Sequence, residues 1–172
     1  VPRAVINGMK TTLPAVWILL FAWMQSALTG LLKTGEYLGG IIEQTSLSSS
    51  WLPFLMFILT GIMAFTTGTS WGTFAIMLPI SAQISLVTGA DITPLFAAVL
   101  SGSLFGDHCS PISDTTTVAA SAAGCNHMNH VLTQLPYALT AAMITAGAFI
   151  CYGMTGISWI SYLFIIVILA GI

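Results

Sequence analysis

The sequence predicts an all-α membrane protein, made of transmembrane helices with one re-entrant hairpin and one broken helix. Three observations carry this expectation. The hydrophobic fraction is 56% and the charged fraction 5%, whereas a soluble domain usually carries about a quarter charged residues. The apolar residues fall into runs long enough to cross about 30 Å of hydrocarbon at about 1.5 Å per helical residue. Two of the runs are interrupted by polar segments that contain glycine. Three Lys and Arg with five Asp and Glu are too few to cover a water-facing surface, and a bilayer removes that requirement. An unusually apolar soluble domain fits this composition poorly. A signal-peptide reading of residues 3–30 is disfavoured as well, since the apolar stretch is long and further spans follow.

The first span covers residues 12–32. Pro14 lies in its first turn, where a missing N–H is tolerated, and Lys33-Thr34-Gly35-Glu36 closes it. Residues 39–50, with Glu43, Gln44 and Ser48-Ser49-Ser50, read as an interfacial loop. The second apolar region, residues 51–87, is too long for one ordinary span. Thr66-Thr67-Gly68-Thr69-Ser70-Trp71-Gly72-Thr73 interrupts it and leaves two apolar arms. Their length suits a hairpin that enters the membrane and turns back, with two tilted spans as the alternative.

A third region begins at Asp91 and Pro94. Residues 95–105 are apolar, residues 106–117 are polar, and residues 118–124 are small. Neither flank alone is expected to cross a bilayer; together they make one span broken in the middle. Residues 125–130 are polar, residues 131–153 form a full span with Pro136 near its start, and residues 158–172 form a last one. Trp51 and Trp159 stand at span ends and suit interfacial anchoring. The whole chain, 1–172, reads as a single transmembrane domain. Its start at Val1 and its end in an apolar run lead to the expectation that it is a C-terminal fragment of a longer chain.

The net charge of −2 says little about partners, but the lack of a basic patch excludes nucleic acid. Arg3 and Lys10 precede the first span, which favours a cytoplasmic start. No Lys or Arg follows Lys33. The three cysteines, Cys109, Cys125 and Cys151, are too few for a disulfide framework.

Both interruptions raise one physical question: where do the backbone groups of a broken helix find partners inside a membrane? Irregular backbone is tolerated there only where protein or a water-filled cavity surrounds it. Secondary transporters place ion sites at such breaks. Here Gly106 can leave the helix, and Ser110-Pro111 has the pattern of an N-cap followed by proline at the first helical position. Ser110, Ser113, Thr115 and Thr116 supply hydroxyls, and Asp107 and Asp114 supply carboxylates. Such hard oxygen ligands suit a small hard cation, and an intramembrane carboxylate is a functional candidate because its burial is costly. In the other interruption Thr69 or Ser70 can cap a half-helix, and both join the candidate ion ligands. His108, inside the broken segment, either assists proton movement or hydrogen-bonds the freed backbone.

Cys125, His127 and His130, together with His108 and Cys109, invite a zinc reading. Their spacing matches no strong zinc pattern, so His127 and His130 are expected as interfacial polar residues at a helix start. No metal is implied beyond a transported cation, and no cofactor. Ser110, Ser113 and His108 lie too close together in an irregular segment to read as a catalytic triad, so no enzyme is expected.

The phrase Gly106-Asp107-His108-Cys109-Ser110-Pro111-Ile112-Ser113-Asp114-Thr115-Thr116 resembles the signature of NhaC-type sodium/proton antiporters. Thr67-Gly68-Thr69-Ser70-Trp71-Gly72-Thr73-Phe74 and His130-Val131-Leu132-Thr133-Gln134-Leu135-Pro136-Tyr137-Ala138 resemble the same family. So do Ala22-Trp23 and Thr34-Gly35-Glu36-Tyr37-Leu38. The resemblance implies one repeat of an inverted-repeat transporter in the cytoplasmic membrane of a prokaryotic cell. It also implies a function: exchange of sodium for protons, with both competing for Asp107 and Asp114. The alternative on the same scaffold is a sodium- or proton-coupled carrier of a small organic solute, a carboxylate or an amino acid. The implied partners are sodium, protons and the lipid bilayer. A homo-oligomer is compatible with this reading, which does not specify one.

Overall fold

The computed structural model describes residues 48–171 and, before them, positions 6, 20, 24, 27, 28, 31, 32, 37 and 40. Most of the expected first span, its closing segment and nearly all of the loop over residues 39–50 therefore lie outside the described residues. So do Arg3, Lys10, Lys33 and Ile172. Among the described residues every regular element is a helix.

A 3-10 turn over Ser49–Trp51 leads into α1 (Leu52–Thr67). The helix ends where Gly68 adopts φ 68°, its N–H closing on the Ala64 carbonyl at 2.8 Å. Glycine takes this left-handed cap without a Cβ penalty. Thr69 then turns extended, and its Oγ1 accepts from the Gly72 N–H at 3.4 Å to open α2 (Ser70–Thr88). The Asp91 carboxylate caps α3 (Ile92–Cys109) by accepting from the Thr93 N–H at 2.9 Å. Ser113 caps α4 (Asp114–Ala122), its hydroxyl accepting from the Thr116 N–H at 3.1 Å. Asn126 caps α5 (His127–Thr155), and α6 (Ser158–Gly171) completes the described chain.

Two expectations about the third region need correction. Gly106 does not leave the helix; α3 runs through it to Cys109. Gly102 and Gly106 sit four residues apart on the face of α3 that meets α1. A Cβ on Gly106 would run into the Gly61 carbonyl and the Phe65 N–H, and one on Gly102 into Thr60 and the Phe57 carbonyl. These glycines let two backbones approach closely, as small residues do between membrane helices. The break comes later because Pro111 disfavours the helical region for the residue before it. Ser110 is accordingly extended, at φ −74° and ψ 128°. Nor is Ser110 the N-cap of a new half-helix: it is the C-cap of α3, and α4 starts from Ser113. With 18 residues, α3 reaches about 27 Å at about 1.5 Å per residue, but it is not apolar enough to count among the spanning helices.

The core lies between α1 and α3, where Leu52, Met56 and Phe57 pack with Leu95, Ala98 and Val99, joined by Met77 and Ile84 of α2 and Ala142 of α5. Phe57 stacks on Phe105 at 6.1 Å between ring centroids and meets Phe149 of α5 at 5.7 Å. At one end of the bundle the Trp51 indole packs over Gly153, leaving no room for a Cβ there. The Gly68 turn, the 110–113 break and the start of α5 gather at the other end. Among the described residues three helical stretches are long and apolar enough to cross a membrane: Ser49–Thr67, Ser70–Thr88 and His127–Thr155.

Candidate ion-binding site

The two chain breaks meet. The Asp114 N–H donates to the Gly68 carbonyl at 3.4 Å. The Ser110 hydroxyl donates to the Phe65 carbonyl at 2.7 Å, across a separation of 45 residues. A Cβ on Gly68 would come within 2.7 Å of the Ile112 carbonyl oxygen. The last turn of α1 thus receives hydrogen bonds from the unwound segment, and each break satisfies part of the backbone demand of the other.

Beside this junction lies Asp107, in the last turn of α3 and only 1% exposed. Its Oδ1 accepts from the Ser113 hydroxyl at 2.7 Å, and its Oδ2 from the Thr115 hydroxyl at 3.1 Å. The two hydroxyls are themselves 2.8 Å apart. A chain of polar contacts runs from the Thr116 N–H through Ser113 to Asp107. This couples the carboxylate to the N-terminal end of α4, where helix N–H groups favour negative charge.

No Lys or Arg occurs anywhere in α1 to α6, because none follows Lys33. The buried carboxylate of Asp107 therefore has hydroxyl partners but no cationic side chain from these helices. Among the described residues no three His, Cys, Asp or Glu side chains converge as metal ligands. A cation held here would be bound by one carboxylate and neutral oxygens, a hard ligand set.

Of the residues singled out from the sequence, the fold joins Asp107, Ser113 and Thr115 into one hydrogen-bonded group, with Thr116 behind it. Ser110 is buried but turns to Phe65. Asp114 is exposed, its Oδ1 accepting from the Thr115 N–H of its own helix at 2.7 Å. His108 is exposed too, and its Nδ1 lies 2.7 Å from the Leu104 carbonyl. The Thr69 hydroxyl is engaged in capping α2, while Ser70 is 4% exposed at the start of that helix.

Two contributors lie outside the ion ligands expected from the sequence. His127 Nε2 lies 2.8 Å from the Pro111 carbonyl, and Gln134 Nε2 donates to the His108 carbonyl at 3.2 Å. Their spacing of seven residues, nearly two helical turns, was the available signal.

The sequence profile of the Na+/H+ antiporter family matches residues 1–157. The chain belongs to the Na+/H+ antiporter family. An uncharacterized protein of Haemophilus influenzae is 44% identical over 154 residues, covering 89% of this chain and 30% of the relative. The malate-2H+/Na+-lactate antiporter of Bacillus subtilis is 32% identical, over 88% of this chain and 32% of its own length. The Na+/H+ antiporter NhaC of Alkalihalophilus pseudofirmus is 28% identical, over 87% of the chain and 32% of the relative. The chain therefore spans about a third of the length of these relatives. No solved structure matches it significantly. Family membership and three apolar helices of spanning length make this an integral membrane protein of a transporter family.

Proposed function

We propose that this chain carries the cation site of a secondary antiporter that exchanges sodium for protons. The observation that supports this most is the burial of Asp107 without a cationic side chain from α1 to α6. An unpaired charge is too costly to bury. A buried carboxyl in such a place is tolerated in two states, carrying a proton or holding a cation. A site that cannot hold both at once exchanges one for the other. Asp107, Ser113 and Thr115 would be the inner ligands. Ser110, Thr116, Thr69 and Ser70 would shape the surrounding oxygen-rich junction. Asp114 and His108, both exposed, are the titratable groups that would pass protons between water and Asp107.

In this reading α1 and α2 form a re-entrant hairpin, α3 and α4 a broken helix, and the chain is one repeat of an inverted-repeat transporter. The direct contact between the two breaks supports that arrangement, since unwound backbone within a membrane needs protein partners. The bacterial relatives favour the cytoplasmic membrane of a prokaryotic cell.

The second reading is a sodium- or proton-coupled carrier of a small organic anion. The likeness to a malate-2H+/Na+-lactate antiporter favours it; the absence of Lys and Arg from α1 to α6 weighs against an anion site in this part of the chain. Proton flux in vesicles holding the full-length protein separates the two, with sodium, lithium, potassium, malate and lactate added in turn. Flux driven by sodium alone supports sodium/proton exchange. Flux that requires an organic anion replaces it with the carrier reading.

A further inference from the structure

We propose that His127 and Gln134 are positioning residues of the Asp107 site, holding the break in its binding-competent shape from one face of α5. The inference rests on the reading of Asp107 as the cation ligand.

The break frees backbone groups that a continuous helix would pair. In a continuous helix the His108 carbonyl would accept from the N–H of residue 112, and the Pro111 carbonyl from that of residue 115. Neither donor is available. The Ile112 N–H goes to the Ser110 hydroxyl at 3.4 Å, and the Thr115 N–H goes to the Asp114 carboxylate at 2.7 Å. The two carbonyls instead receive side-chain donors from α5. Gln134 Nε2 donates to the His108 carbonyl at 3.2 Å, and His127 Nε2 stands 2.8 Å from the Pro111 carbonyl. A carbonyl oxygen only accepts, so Nε2 carries the proton in this contact. His127 Nδ1 is buried and makes no hydrogen bond, so the contact with Pro111 is what orients the ring.

The two donors therefore grip the break at both ends of its unwound turn, and α5 substitutes for the missing helical N–H groups. That turn joins Asp107 to Ser113 and Thr115, so its shape sets the distance between the carboxylate and its hydroxyls. Without the grip the unwound turn samples other shapes. Apparent affinity then falls in proportion to the fraction of molecules that keep the site assembled. Chemistry at the carboxylate itself is untouched, which separates this role from that of Asp107.

The test uses the full-length protein in vesicles and reads sodium-dependent proton flux. His127→Phe and Gln134→Leu remove one donor each and retain bulk. If either does not insert, His127→Leu or Gln134→Met takes its place. Each variant is expected to raise the half-saturating sodium concentration about three- to tenfold while the maximal rate stays within about twofold. His127→Gln keeps an N–H donor and is expected to recover most of the loss. A merely structural role would lower the amount of active protein and the maximal rate, and would leave half-saturation unchanged. That result in both variants overturns the proposal, as does failure of His127→Gln to do better than His127→Phe. Asp107→Asn is run alongside. If Asp107→Asn still exchanges normally, the site reading fails and the positioning role with it. If it is inactive while the α5 variants bind sodium as the wild type does, the positioning role alone is wrong.

Discussion

At the residue scale, Ser113 has the densest set of roles around Asp107. Its hydroxyl donates to the carboxylate at 2.7 Å, lies 2.8 Å from Thr115 Oγ1 and accepts from the Thr116 N–H. Ser113→Ala removes a charge-assisted hydrogen bond and a helix cap at once. It should raise half-saturating sodium about tenfold or more. Thr116→Ala leaves all three contacts in place, because Thr116 takes part through its backbone N–H, and it should change the value much less. Sodium titrations of proton flux check both; equal effects would place the cation elsewhere. The oxygen-rich chemistry of this segment was legible in the sequence, but not the choice among its oxygens. Asp107 meets Ser113 and Thr115 across six and eight residues, over a break that no helical period describes. Asp114 is equivalent to Asp107 in sequence pattern, yet it is exposed and accepts from the Thr115 N–H of its own helix, while Asp107 is buried against two hydroxyls, a difference set by packing.

At the element scale, the Gly68 turn combines two constraints, a left-handed backbone and close packing against the other break. Gly68→Ala would be strained at φ 68° and would bring its Cβ to 2.7 Å from the Ile112 carbonyl oxygen. Gly89 has a similar φ of 70° with nothing within 4 Å of a Cβ, so Gly89→Ala meets the conformational cost only. That cost is about 1–2 kcal/mol, and the Gly68 variant should exceed it. Thermal unfolding in detergent should show the larger loss for Gly68→Ala; equal losses would mean that the two breaks do not press together. Hairpin and two-span readings of α1 and α2 also part here. With Cys109, Cys125 and Cys151 replaced, a single cysteine at Thr69 should resist membrane-impermeant thiol reagents from the aqueous phase opposite the one that labels position 89. Ready labelling from that opposite side would make α1 and α2 two full spans. The turn itself was legible, because glycine and a capping threonine announce it. The end of α3 was not. Gly106 has the residue type of a breaker, yet it lies under the α1 backbone, and the constraint that ends the helix comes from Pro111.

On the scale of the whole molecule, composition sufficed for the membrane class, because 5% charged residues leave no other surface. From residue 48 onward the order of the helices follows from the run lengths. That the two breaks should meet is expected from the backbone groups each leaves without a partner; the particular contacts, between residues 65 and 110 or between 111 and 127, depend on helices packing in three dimensions. The account as a whole rests on competition between proton and sodium for one buried carboxyl. Competition predicts that half-saturating sodium rises as the medium is acidified while the rate at saturating sodium is recovered; a half-saturation independent of pH would point to separate sites. The most direct measurement is sodium-gradient-driven proton flux in vesicles containing full-length Asp107→Asn protein, with insertion and thermal unfolding matched to the wild type. The account predicts that flux is abolished, because the amide neither holds a proton for exchange nor offers a charge to sodium. Wild-type flux from Asp107→Asn would contradict it.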